Sequence, residues 1–394
     1  MGVHYNLIMK KVIIRAPLLT YSGYGTHSRQ IFRWLLSRPD IQVYTSLVPW
    51  GMTPWMINPG LEEGLIEEIM SRSAYDPKEV FDVSIQVQLP NEWDPTLAKK
   101  NVGISAFVET DICNSSWVEC CNRMSHIIVP SNHVHQVIKN SGGSKTPVSV
   151  VPESFYDAIL HENLDEFFLD VDTKFNFLIF GQLTAHHPDT DRKNTFNTIK
   201  WLCETFKDDP DVGVIIKTNS GKNTTIDKRV TVRTINKLVN EVRVGPYPKI
   251  HVLHGPMDLN EIASLYRDPK IKALVSLTRG EGFGLPLLEA AASGLPVIAT
   301  NWSGHLDFLK MGKFIPVDFQ VTPIPEARVD GNIFVTGAKW AEPIESSAKQ
   351  RFQKFRKAPS IPHRWAKELS EKIRLSFSQD KISQHYDEVL GNLI

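Results

Sequence analysis

Apolar residues in this chain follow two rhythms. Short, largely β-branched runs at 11–15, 41–47, 83–87, 102–108, 127–129 and 148–154 are apolar almost throughout. That is the pattern of strands buried on both faces of a parallel sheet. Between them, segments at 28–37, 61–72 and 117–124 repeat apolar residues at helical spacing, as Ile31, Trp34 and Leu35 do. The stretch 155–172 has no period and scatters Asp and Glu, which predicts a linker and the floor of a cleft. The strand–helix rhythm then restarts. Strands are expected at 175–181, 212–217, 249–254, 272–277 and 296–300, and helices at 196–206, 230–242, 258–266, from Pro286, at 364–376 and at 381–390. Strands alternating with helices twice over predict an α/β protein with two open, mostly parallel sheets. Such sheets bind ligands at the carboxyl ends of their strands.

Composition adds limits to this outline. A chain of 394 residues, 42% hydrophobic and 22% charged, suggests two or three globular domains, each with its own core. Lys+Arg and Asp+Glu stand at 44 each, so no overall field recruits nucleic acid or an anionic membrane. The longest apolar runs are strand-sized, below the ~20 residues of a membrane span, and the first residues carry no signal-peptide core, so the expected location is cytoplasmic. Peripheral membrane contact stays open. Cys113, Cys120, Cys121 and Cys203 form no C-x-x-C pair, so neither a zinc site nor a disulfide framework is expected.

The densest chemistry lies at 275–300, where a buried strand leads through Arg279-Gly-Glu-Gly-Phe-Gly284 into a helix and a second strand. Proline suits the first helical positions, glycines let backbone approach a ligand, and the free N–H groups of Gly284 and Leu285 favour an anion. Glu281 and Glu289 bracket the turn, and packing of the helix face by Leu287, Leu288 and the alanines does not account for Glu289.

This E-G-F-G-L-P-x-x-E-A-x-A-x-G-x-P-V-I-A stretch resembles the retaining GT-B glycosyltransferases of family 4, or group 1, the glycogen-synthase and sucrose-synthase kind. The resemblance covers most of the chain, strongest at 275–304 and weakest at 40–100 and 218–248. It implies the GT-B fold: two Rossmann-like, doubly wound domains facing a central cleft. The expected divisions are an acceptor-binding domain at 1–170, a nucleotide-sugar domain at 171–362, and helices at 363–394 that cross back to the first domain. It also implies transfer of a hexose from a UDP- or GDP-linked sugar to a glycan, lipid, protein or other hydroxyl acceptor, with no metal and no cofactor beyond the donor.

The same resemblance assigns roles. Glu289 holds the ribose hydroxyls, Glu281 meets the donor sugar near its reacting carbon, and the backbone of Gly282, Phe283, Gly284 and Leu285 holds diphosphate and sugar. Arg192-Lys193 opens a predicted helix, where cations oppose the macrodipole unless an anion binds there. The resemblance gives the diphosphate first to Lys193 and then to Arg192. Gly23 and Gly25, in the turn between the first strand and helix, lie against the donor, and the base falls near 253–255, beside His254. Glu109, at the end of the strand expected over 102–108, touches acceptor or sugar. The tryptophans of the 50–56 loop offer a weaker acceptor hint. His126 and His133 fit no family position and read as structural. One departure stands out: Gln182 occupies a position where the family usually has an arginine that clamps phosphate. It keeps open a degenerate module binding glycan or nucleotide without catalysis; a second alternative keeps the fold but changes the chemistry, a GT-B phosphorylase or epimerase. A dehydrogenase is disfavoured, because Gly23-Tyr-Gly25 lacks the third glycine of the dinucleotide fingerprint.

Overall fold

The computed structural model describes residues 9–164, 169–181, 187–219 and 221–394; Gln182 lies outside them. The first six strands are β1 (Lys10–Ala16), β2 (Ile41–Leu47), β3 (Val83–Val87), β4 (Lys100–Ile104), β5 (His126–Val129) and β6 (Val148–Val150). They form one all-parallel sheet in the order β2-β1-β3-β4-β5-β6, with Val12 paired to Val43 on one side and Val83 on the other. The next six are β7 (Phe175–Phe180), β8 (Val212–Thr218), β9 (Lys249–His254), β10 (Ile271–Ser276), β11 (Val297–Thr300) and β12 (Ile315–Val317). Their order, β12-β11-β10-β7-β8-β9, is again wholly parallel. It is the doubly wound Rossmann order, whose direction reverses between β7 and β10. A short antiparallel ribbon, β13 (Phe319–Pro323) with β14 (Lys339–Pro343), follows.

Helices cover both sheets. In the first lobe these are α1 (Gly23–Leu36), α2 (Leu65–Ser71), α3 (Ser115–Cys121) and α4 (Asn132–Asn140). The second lobe carries α5 (Thr195–Thr205), α6 (Thr225–Val242), α7 (Leu259–Arg267), α8 (Leu285–Ala292), α9 (Leu306–Leu309) and α10 (Glu345–Lys357), and the chain closes with α11 (Ser360–Ser376) and α12 (Gln379–Leu390). Side-chain caps fix several starts. Ser22 accepts from Gly25 N, and capping boxes at Thr224/Asp227 and Asp258/Glu261 open α6 and α7. The Gly23–Gly25 turn expected before a helix at 28 is therefore itself the first turn of α1, because Ser22 supplies the cap five residues earlier. The expected strand at 102–108 ends at Ile104, and Phe107 adopts a left-handed φ of 51°.

The largest buried cluster runs through both lobes. Val12, Ile14, Val83, Ile85 and Ile104 pack under α1 and α2, and the same cluster continues through Phe155, Ile159, Phe283, Phe308 and Phe377 to α8, α11 and α12. The segment expected to be a bare linker is thus partly core, with Phe155, Ala158 and Ile159 buried. From the far end of the chain, α12 lies on α1. Tyr386 stacks on Trp34 at 4.8 Å and its hydroxyl meets His27 Nε2 at 3.1 Å, while Trp34 Nε1 donates to Asp387 at 2.9 Å.

Candidate functional site

The site grows from the turn between β10 and α8, at the point where the second sheet reverses. The turn is wedged against the first lobe. A Cβ on Gly280 would sit 2.1 Å from the Glu109 carbonyl oxygen, and one on Gly282 would sit 2.9 Å from Ala106. Only glycine fits either place. Ser131 Oγ at the start of α4 donates to the Gly282 carbonyl at 2.6 Å, and Asn132 N donates to Asp307 at 2.7 Å, so hydrogen bonds cross the same seam. Gly284, at φ 100°, caps α8 without any side-chain acceptor, and Pro286 stands in its first turn.

Four charged side chains meet there. Lys193 Nζ donates to Glu281 Oε1 at 2.7 Å, Arg192 approaches Glu281 Oε2 at 3.7 Å, and the other end of Arg192 reaches Glu109 at 3.2 Å. Arg192 also donates to the Gly280 carbonyl at 2.7 Å. Burial opposes ionisation of Glu281, but Lys193 and Arg192 outweigh it and hold the carboxyl down at about 2. Glu281 is thus an anion at every working pH. Its backbone is pinned as well, with Glu281 N donating to Ser303 Oγ at 2.9 Å and Gly304 N donating to its carbonyl at 2.9 Å.

The loop that presents the two cations is held by Arg279, which is 1% exposed. Its guanidinium grips Glu342 of β14 through two bonds of 2.6 and 2.8 Å, and donates to the carbonyls of Pro188 and Asp191 at 2.7 and 2.6 Å. Such a bidentate pair fixes orientation as well as charge.

Glu289 sits one turn into α8, fully enclosed. Tyr266 donates to its Oε2 at 2.9 Å and Tyr156 also hydrogen-bonds to it. Burial nevertheless pushes its carboxyl up to about 8, so Glu289 keeps its proton at neutral pH. Glu153, following β6, is buried beside it and is raised by that burial and by the neighbouring Glu289 and Glu281.

The remaining expected residues divide by what they touch. Gly23 opens α1 with nothing within 4 Å of its Cβ direction, facing free space at a helix N-terminus. Gly25 is explained within the protein: its Cβ would meet Thr20 O at 2.2 Å and its N–H is already given to Ser22. The Phe283 side chain packs among Phe308 and Phe377, so only its backbone is turned toward the seam's chemistry, and Leu285 is likewise core. His254 ends β9 with a buried Nε2 that has no hydrogen-bond partner among the described residues, near the largely buried Lys217, whose amine burial pushes down to about 8 and which donates to the Gly255 carbonyl. Of the expected acceptor tryptophans, Trp50 stacks on Tyr24 at 3.9 Å and is spent on packing, whereas Trp55 stays 40% exposed. His126 pairs with Ser149 in the sheet, and His133 packs edge-on to Trp302. Among the described residues, no group of His, Cys, Asp and Glu is arranged to hold a metal.

Residues 246–323 match the family of glycosyl transferases group 1. Among curated proteins, a sucrose synthase from Melioribacter roseus is 24% identical over 141 residues, a match spanning 33% of this chain and 17% of that protein. Solved structures match over nearly the full length. Sucrose-phosphate synthase from Thermosynechococcus elongatus superposes with a TM-score of 0.63 at 15% identity, covering 98% of this chain and 99% of the other. Anabaena HepE, solved with UDP and glucose, gives 0.61 at 14%, covering 97% and 100%. The trehalose 6-phosphate synthase of Burkholderia multivorans gives 0.59 at 10%, covering 98% of each chain. These likenesses establish the fold.

Proposed function

We propose that this chain, a group 1 glycosyltransferase of the GT-B fold, moves a hexose from a UDP- or GDP-linked donor to an acceptor hydroxyl, retaining the anomeric configuration and using no metal. The observation that carries the reading is the Lys193–Glu281–Arg192–Glu109 cluster at the reversal point of the second sheet, facing the first lobe. Nucleoside diphosphates suit the carboxyl ends of β7 and β10, where α8 offers uncapped N–H groups and Lys193 and Arg192 offer charge. Two cations there neutralise the charge that builds on a departing diphosphate, the part otherwise played by a metal.

In this mechanism the bond between the sugar's anomeric carbon and the diphosphate oxygen breaks. The acceptor oxygen bonds to the same face, and its proton passes to the leaving phosphate. Glu281, held ionised by its neighbours, stabilises positive charge on the sugar ring. Glu289 receives the ribose hydroxyls in place of its tyrosines. As a protonated acid near pH 7 it both donates and accepts, which suits a pair of vicinal hydroxyls.

The test is thermal-shift screening against UDP, GDP, ADP and their sugars. A nucleotide at ~100 times its Kd stabilises by about 2.7 kcal/mol, and Glu289→Ala should lose that shift. No shift with any nucleotide would overturn the donor assignment. Proton NMR of the first product reads retention against inversion, and unchanged turnover in EDTA supports metal independence.

A further inference from the structure

Between β13 and β14 the chain makes a long excursion toward the first lobe. Its small core of Ile324, Phe334, Ala338 and Trp340 packs against Ile112, next to Glu109, and against Trp302. Hydrogen bonds clasp the two parts: Asp111 N to Lys339 O at 3.0 Å, Lys339 N to Asp111 Oδ1 at 2.6 Å, and Asn114 Nδ2 to Gly331 O at 2.9 Å. The excursion is therefore a fixed wall beside the Glu109 side of the cluster.

That wall carries Arg328. Its guanidinium carbon sits over the Phe334 ring at 4.1 Å from the centroid, and its Nε is buried without a hydrogen-bond partner among the described residues. Two carboxylates lie near it in sequence, Glu326 and Asp330, and neither forms an ion pair with it among the described residues; Asp330 Oδ1 instead accepts from the N–H groups of Asn332, Ile333 and Phe334 at 2.9, 2.8 and 3.0 Å. The groups that face Arg328 electrostatically, besides Asp330, are Arg192, Glu109 and Asp191, all of the cluster or the loop that holds it. A half-buried, stacked arginine with no ion pair among the described residues, standing beside the charged cluster, is pre-organised for an anion supplied from outside the protein. Buried donors left unpaired are costly, and an anionic ligand would remove that cost.

We propose that Arg328 and Glu109 form an acceptor subsite in which Arg328 binds an anionic oxygen group, a phosphate or a carboxylate, carried by the acceptor. The word acceptor rests on the transferase reading above; the anion site itself does not. Glu109 then faces the acceptor's hydroxyls while Arg328 fixes the charged end, so neutral sugars bind without orientation.

Calorimetric titration of the UDP-saturated protein with inorganic phosphate, glucose 6-phosphate, glucuronate and glucose tests this. UDP occupies Lys193 and Arg192, leaving Arg328 to answer the added anion. The expected result is that one of the anions binds at least tenfold more tightly than glucose. Arg328→Gln should erase that preference with UDP affinity and melting temperature unchanged, and Arg328→Lys should restore part of it. Phosphate against glucuronate separates the two chemistries. Co-sedimentation with phosphatidylglycerol vesicles, compared between wild type and Arg328→Gln, separates a lipid-borne phosphate from a soluble one. The subsite is refuted if no anion or vesicle is preferred, or if Arg328→Gln keeps the full preference. If UDP does not bind at all, the donor reading fails, and repeating the titrations without UDP in Lys193→Met still tests Arg328.

Discussion

At the scale of single residues, charge and burial set opposite states on the two motif glutamates. Lys193→Met removes the nearer cation from Glu281. In the proposed mechanism its charge acts on the departing diphosphate, so kcat should fall about 10²–10³-fold with a smaller change in donor KM; a KM effect alone would mean Lys193 only binds the donor. Glu289 gives a prediction about stability. Its folded pKa of about 8 lies above the ordinary 4.5. Between those pH values the unfolded chain has lost a proton the folded chain keeps, so stability falls as pH rises, by up to about 1.4 kcal/mol per unit. Glu289→Gln removes this slope. Urea unfolding at pH 5 and pH 8 should show wild type losing more than the variant, and equal losses would contradict the assignment. Glu281 and Glu289 were legible in the sequence because they bracket one strand–turn–helix, and Arg192 and Lys193 because they stand together at the start of another predicted helix. Tyr156, Tyr266, Glu153 and Arg328 were not. Each reaches the site from an element whose place is set only by the folding of the two sheets, and none belongs to a local motif; Arg279 stands in the motif, but its grip on Glu342 and on the 188–191 loop is long-range.

At the scale of elements, two glycines make a paired test. Gly280→Ala forces a methyl group onto the Glu109 carbonyl, while Arg192 and Thr278 hold the Gly280 carbonyl in place. It should cost about 1–3 kcal/mol in urea unfolding and abolish turnover. Gly23→Ala meets no atom within 4 Å, so it should leave stability equal or up to about 1 kcal/mol higher. A raised donor KM in that variant supports the α1 turn as part of the donor site, and an unchanged KM argues against it. Element reading succeeded where apolar runs were continuous, as in β1, β7 and β8. It missed α4, β12 to β14 and α10. The α10 segment is so polar that Ala348, Phe352 and Phe355 supply nearly all its buried apolar surface, and β13 is a largely exposed strand whose pairing with the more buried β14 is set by register, which a run of residues does not display.

For the whole molecule, the lobes share one core and a seam with no room for side chains at its centre. Two open parallel sheets were readable from the alternation of runs and their doubly wound order from the resemblance, whereas the continuity of the core through Phe155, Phe283 and Phe377 was not, since it depends on the angle between lobes. Tyr386→Ala removes the ring that covers Trp34 and the partner of His27. It should destabilise by about 3–5 kcal/mol in calorimetry, with amide exchange rising in α1; protection confined to α12 would show the contact to be peripheral. The same contact has a meaning for synthesis. Trp34 and its hydrogen-bond partner Asp387 stand 353 residues apart, so the ribosome has made nearly every other element before the first lobe receives its last helix. Until then α1 carries an uncovered tryptophan through translation, an apolar face open to aggregation for as long as the late elements are being made.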